Sequence, residues 1–309
     1  MSKNNGNAEK YVSEFPQPAK KKTFSEILYD PNEGTFLGRT PKSWGQLITF
    51  YTIFYIVLTI MFTICMQVML STINEHHPKW KLDESLIGTN PGMGLRPLSE
   101  QTERGSVIRF NKNKPKEAAY WTELLDDFLK DYNHTEGRQM KHCDPSQVHN
   151  PDDVCVVDIA KFGPCSSANS YGYRTGTPCV FLKLNKIFDW VPEVYDTVDG
   201  STPAELRDVL TSTKVEERKQ IWVTCNGHYG KDKEQFNNIT YYPSQGFPAY
   251  YYPYQNQPGY LSPVVAVQIV SPPDHEMLEV ECRAWAKNII YSGSLLDRRG
   301  SVTFQLIVD

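Results

Sequence analysis

Seven cysteines, seven histidines and two adjacent aspartate pairs are the residues through which this chain could do chemistry. The pairs are Asp126 with Asp127 and Asp152 with Asp153. Neighbouring side chains point to opposite faces of a strand and diverge by about 100 degrees on a helix, so neither pair aims two carboxylates at one atom. Both pairs read as solvated. His76 and His77 stand side by side in a polar stretch, the usual setting of solvated histidines rather than of a metal site. The sequence contains no HExxH, GxSxG, P-loop, EF-hand or Asp-x-Asp pattern. Catalytic residues, cofactor and metal are therefore all expected to be none.

The cysteines point elsewhere. Cys65 lies in an uncharged run, and the other six (Cys143, Cys155, Cys165, Cys179, Cys225, Cys282) all follow that run. No two of them are spaced as CxxC, which disfavours zinc, and an even set on one side of a membrane fits an oxidising compartment. Two glycosylation sequons, at Asn133 and Asn238, fall on the same side.

The element that divides the chain is Leu47 to Leu70, which carries no charge. As a helix it would extend roughly 36 Å, enough to cross a hydrocarbon core of roughly 30 Å with some tilt. Basic residues before it, Lys20 to Lys22, Arg39 and Lys42, agree mildly with an N-terminus in the cytosol. Cysteines and sequons give the same orientation more firmly: a type II membrane protein. Residues 1–46 form a short cytoplasmic tail whose first 22 or so positions read as disordered, 47–70 the span, 71–117 an extracellular connector rich in Pro and Gly, and 118–309 a disulfide-bonded ectodomain. A net charge of -4 offers no footprint for nucleic acid.

Within the span, Tyr51, Phe54, Tyr55, Leu58 and Phe62 recur at helical spacing on one face. Tyrosine hydroxyls at that depth can hydrogen-bond a neighbouring helix, a partner that a lone span would not supply.

Beyond it, Trp121, Leu124, Leu125, Phe128, Leu129 and Tyr132 predict an amphipathic helix from about Lys116 to Tyr132, with Asn133 just past its end. Cys179 to Leu184 reads as a strand. Thr202, Pro203 and Glu205 resemble a cap, first turn and capping box, predicting a helix that runs to about Gln220. Three alternating segments, around Ile221 to Cys225, Leu278 to Ala284 and Val302 to Val308, read as half-buried strands. Cys225 and Cys282 share the apolar phase of theirs, so a bridge between them would lie in a sheet core, as in an immunoglobulin-like sandwich. The intervening tyrosine- and proline-rich stretch, from Tyr241 on, is expected as edge or loop until Val264. Its aromatics either cover the core or form a binding surface.

Several motifs together carry a resemblance. They are FLGRT and SW before the span, FY and IFY at its start and QVML at its end, then PCVFLKLN from Pro178 to Asn185, YYPY, and YLSPVVAVQ, alongside the six later cysteines. On these the chain resembles the β subunit of the Na+,K+-transporting ATPase and its H+,K+ relatives.

The resemblance implies a non-catalytic, glycosylated plasma-membrane partner of a polytopic catalytic α subunit, which it helps to fold, assemble and deliver, and whose cation affinity it modulates. It implies a single transmembrane helix plus a mainly-β, immunoglobulin-like ectodomain with inserted helices, bridged Cys143 to Cys155, Cys165 to Cys179 and Cys225 to Cys282. Tyr51, Phe54 and Tyr55 would meet the seventh α helix, and Tyr251, Tyr252, Pro253 and Tyr254 the loop after it. Membrane lipid and a small single-span regulatory subunit complete the implied partners. Ile56 and Ile60 stand where many members carry glycine. Two other classes share this layout: a type II Golgi glycosyltransferase and a type II adhesion receptor.

Overall fold

The computed structural model describes residues 24, 28–31, 33–74, 76–100, 105–133, 140–145, 153–235, 238–294 and 298–309. The expected disorder of the first 22 residues, together with Asp152, His134 and Thr135, lies outside them. The chain divides into two compact units at Ile73.

In the first unit, strands β1 (Tyr29–Asp30) and β2 (Thr35–Phe36) form a hairpin that leads into helix α1 (Pro41–Ser71). Thr40 holds an extended backbone and its side chain accepts from the Ser43 N–H at 3.4 Å, satisfying one of the free donors of the first turn. Pro41 follows at a position where no hydrogen bond is lost. The helix ends where Thr72 turns its N–H and its hydroxyl back onto Met69 O. α1 contains the whole of the uncharged run and none of its residues is buried; by length and composition it can cross a membrane.

The second unit holds two main sheets. Strands β3 (Met93–Arg96), β7 (Cys179–Leu184), β11 (Val264–Ile269) and β9 (Ile239–Tyr242) form one in that order, all antiparallel. β10 (Gly246–Pro248), β8 (Gln220–Gly227), β12 (Met277–Trp285), β15 (Ser301–Val308) and β4 (Val107–Phe110) form the other, parallel only between β15 and β4. β5 (Met140–Lys141) with β6 (Val154–Cys155) and β13 (Ser292–Gly293) with β14 (Arg298–Arg299) form two further two-stranded sheets.

Both sheets feed one continuous core. Every residue of β11 and all of β7 except Lys183 are buried. Because successive side chains take opposite faces, that sheet is covered on both. Helix α2 (Pro115–Asn133) lies against the segment Ser167–Thr175, and Phe181 of β7 meets Phe128, Phe162 and Tyr171 at 5.4–6.3 Å. β8 is likewise covered on two sides: Ile221, Val223 and Cys225 join the main core, while Trp222 packs with Trp285 and with Leu206 and Leu210 of helix α3 (Ala204–Ser212).

Three expectations change. The stretch 71–117 is more than a connector, since it supplies β3 and β4; β4 pairs with the last strand of the chain, Val107 opposite Gln305. α3 ends at Ser212, and a separate turn at Val215–Arg218 precedes β8. Thr202 does not cap it: its hydroxyl accepts from the Asp199 N–H at 2.9 Å, closing the preceding turn. The tyrosine-rich stretch keeps its expected edge placement: it opens with a strand, Ile239–Tyr242, at the edge of its sheet, which Pro243 ends because it has no N–H to give the ladder.

Candidate functional site

The six later cysteines pair as Cys143 with Cys155, Cys165 with Cys179 and Cys225 with Cys282, and Cys65 is free and exposed. Cys225 and Cys282 stand directly opposite on β8 and β12, Cα atoms 4.0 Å apart. This bridge staples neighbouring strands of one sheet, rather than joining two sheets across the core as in antibody domains.

Nearby, Tyr241 donates no bond to β8 but accepts one: the Cys225 N–H reaches its hydroxyl at 2.8 Å. Burial pushes the Tyr241 phenol up to about 12. Because its folded pKa exceeds the unfolded value, the neutral ring contributes stability that is full below about pH 10 and lost as pH climbs through about 12. Tyr241→Phe should therefore flatten part of the alkaline fall in melting temperature between those values, at a cost of about 1 kcal/mol at neutral pH for the lost acceptor. Thermal melts at stepped pH read both.

Asp126 accepts from the Tyr171 hydroxyl at 2.7 Å, and Asp153 pairs with Lys141 at 2.6 Å. His77 packs edge-on against Phe188, and the His76 N–H is held by Asn74 Oδ1. Among the described residues no three His, Cys, Asp or Glu side chains converge as a metal site.

On α1, Tyr51 stacks on Tyr55 with ring centres 6.2 Å apart, and Phe54 meets Tyr55 edge-on at 5.4 Å. Phe50, which the face count left out, stacks on Phe54 at 6.3 Å and belongs to the same array; its i, i+4 spacing to Phe54 was the available signal. All four rings are exposed. The result is an aromatic flank on the N-terminal half of the helix, with two hydroxyls that are costly to leave unpaired in hydrocarbon.

The YYPY segment splits in two. Tyr251 donates to Val156 O at 2.8 Å, Tyr252 packs edge-on against Trp190 at 5.6 Å, and burial raises both phenols far above their ordinary range. These two cover the core. After Pro253, Tyr254 turns to the rim, where Lys186 lies 4.9 Å over its ring and 5.2 Å over that of Tyr260. Burial lowers the Lys186 pKa.

Asn133 is exposed at the end of α2. Asn238 is exposed too, its carbonyl taking the Val270 N–H at 2.9 Å as it leads into edge strand β9.

The family model described as "Sodium / potassium ATPase beta chain" matches residues 16–304. The chain is 68% identical to sodium/potassium-transporting ATPase subunit beta-1 of Drosophila melanogaster over 309 residues, the full length of both. It is 39% identical to the beta-2 subunit of the same fly, covering 97% of this chain and 96% of that one. Against human beta-2 the identity is 28%, covering 93% and 94%. The chain belongs to the sodium/potassium ATPase beta chain family, and is thus the accessory rather than the catalytic chain of that pump.

Proposed function

We propose that this chain binds the catalytic α subunit of a Na+,K+-transporting ATPase through the aromatic flank of α1 and, outside the membrane, through the Tyr254 rim of the YYPY segment. The observation that carries this reading is the exposed array of Phe50, Tyr51, Phe54 and Tyr55 on a helix that buries nothing within its own chain. Four large rings and two hydroxyls on one flank fit a packed helix better than fluid lipid.

The N-terminus lies in the cytosol and the bridged body outside, in the plasma membrane. Three disulfides and two exposed sequon asparagines, all after the span, support that orientation. A glycan on Asn238 would also shield β9, an edge strand open to pairing with other chains. The proposed bounds keep 1–46 as tail and 47–70 as span, with the ectodomain starting early enough to include β3. An immunoglobulin-like arrangement is supported by sheets of four and five strands around one core, although the Cys225–Cys282 bridge departs from that pattern.

Binding only the folded α subunit shifts its equilibrium toward correct insertion, and so assists assembly and delivery. The same linkage alters cation affinity when the contacts differ between pump states. A small single-span regulatory subunit can share the remaining faces of α.

Replacing Tyr51, Phe54 and Tyr55 together by alanine is expected to cost the complex about 0.6 to 2 kcal/mol per residue. Recovery of α with this chain in mild detergent should then fall by about tenfold or more, while Ile53→Ala with Ile60→Ala, on the opposite side, leaves it unchanged. Equal recovery from both variants would remove α1's aromatic flank from the account.

A further inference from the structure

The hairpin before α1 has exposed apolar side chains that the α-binding reading does not use. Leu28, Tyr29, Phe36 and Leu37 are each about half exposed, whereas Asp30 and Thr35, the next pair along the hairpin, are buried. The Phe36 and Arg39 backbones bond each other at 2.9 and 3.1 Å across a tight turn, with Leu37 at φ 53 and Gly38 at φ 74. Glycine takes that conformation freely, but leucine pays for it, by about 1 to 2 kcal/mol. The turn thus holds a strained leucine at its exposed tip.

The hairpin is also fastened to the helix. Trp44 Nε1 donates to Phe36 O at 2.8 Å, and the two rings lie 6.3 Å apart. Leu37 N bonds Leu28 O at 3.0 Å, closing the ladder.

The helix dimensions set the depth. α1 has 31 residues, roughly 46 Å at 1.5 Å per residue, against a core of roughly 30 Å. With the uncharged run filling the core, Pro41 to Gln46 spans roughly 9 Å of the headgroup layer. Trp44 and Lys42 are residues suited to that layer, and the fastened hairpin is carried beside it.

We propose that residues 28–31 and 33–39 form an amphipathic foot in the headgroup layer of the leaflet that α1 enters at Pro41. Leu28, Tyr29, Phe36 and Leu37 reach the acyl boundary while Arg39 and Lys42 meet acidic headgroups. The partner is the bilayer surface itself, reached because the foot is continuous with the span. The foot would fix the depth and tilt of α1, and with them the level at which its aromatic flank is presented. The proposal rests on α1 being a span, so the test checks that separately.

In full-length chain carrying Cys65→Ser, a nitroxide is attached in turn at Tyr29→Cys, at Ile56→Cys within the span, and at Glu216→Cys as an aqueous reference. Each is placed in nanodiscs of phosphatidylcholine with or without phosphatidylserine. The ratio of oxygen to aqueous-nickel collision rates is then measured with and without the catalytic subunit. The foot predicts a ratio at position 29 severalfold above that at 216 without any other protein, rising further with phosphatidylserine. Leu37→Asn, which tolerates the left-handed backbone, should lower it. A lipid-like ratio at 56 with a water-like one at 29 overturns the foot and leaves the span intact. Protection at 29 only when the catalytic subunit is added assigns the hairpin to protein contact and overturns it too. A water-like ratio at 56 overturns both.

Discussion

Replacing Cys225 and Cys282 together by alanine is expected to destabilise the ectodomain by about 4 kcal/mol, the largest effect of any bridge in the chain. In the chain-entropy model, the cost follows the length of loop released in the unfolded state. Here the two cysteines are 57 apart in sequence, against 12 and 14 for the other bridges, which predict about 3 kcal/mol each. The folded state does not depend on the bridge for pairing, because β8 and β12 hold register from Val280 opposite Gly227 to Trp285 opposite Trp222. The loss therefore falls on the unfolded side of the balance. Against a typical domain stability of about 5 to 15 kcal/mol, it removes a large share. Denaturant melts of the full chain in nanodiscs should show a lower midpoint, and delivery to the cell surface should drop more than for Cys143→Ala with Cys155→Ala. An equal or smaller loss than for that pair would contradict the ranking.

Phe181→Ala should cost about 3 to 5 kcal/mol, a buried-aromatic deletion with little room to relax. Phe181 is fully buried on β7, between β3 and β11, and it ties that sheet to α2 through Phe128 and to the covering turns through Phe162 and Tyr171. Its removal should loosen α2, seen as faster amide exchange in residues 118–132 than the midpoint shift alone explains. Tyr254→Ala, on the partly buried rim, should shift stability by less than Phe181→Ala does. If the two variants melted alike, α2 would not be packed on that sheet as described.

Elements with strong local patterning were legible in the sequence. The apolar run of Cys179–Leu184, the period of α2 and the strict alternation of β12 each declare their type because burial on a fixed face imposes it. β3 and β4 were not legible. Each is four residues long, set among prolines and glycines, and stabilised by partners as distant as Gln305, which no local window contains. Thr202 misled because the same hydroxyl that suits a helix cap also suits a turn, and the turn at Asp199 took it. In the candidate site, the helical period exposed Tyr51, Phe54 and Tyr55 directly. The inward course of Tyr251 and Tyr252 depended on Val156 and Trp190, remote in sequence, so composition could not separate the two covering rings from Tyr254 at the rim.

In the proposed complex the aromatic flank of α1 grips a helix of the catalytic subunit. A photo-reactive phenylalanine analogue placed at Tyr55 and, separately, at Ile60, then activated in native membranes, tests it most directly. Tyr55 is predicted to yield a covalent product with the polytopic ATPase and Ile60 little or none. Lipid adducts alone from Tyr55, or equal protein crosslinking from both sides of the helix, would contradict it.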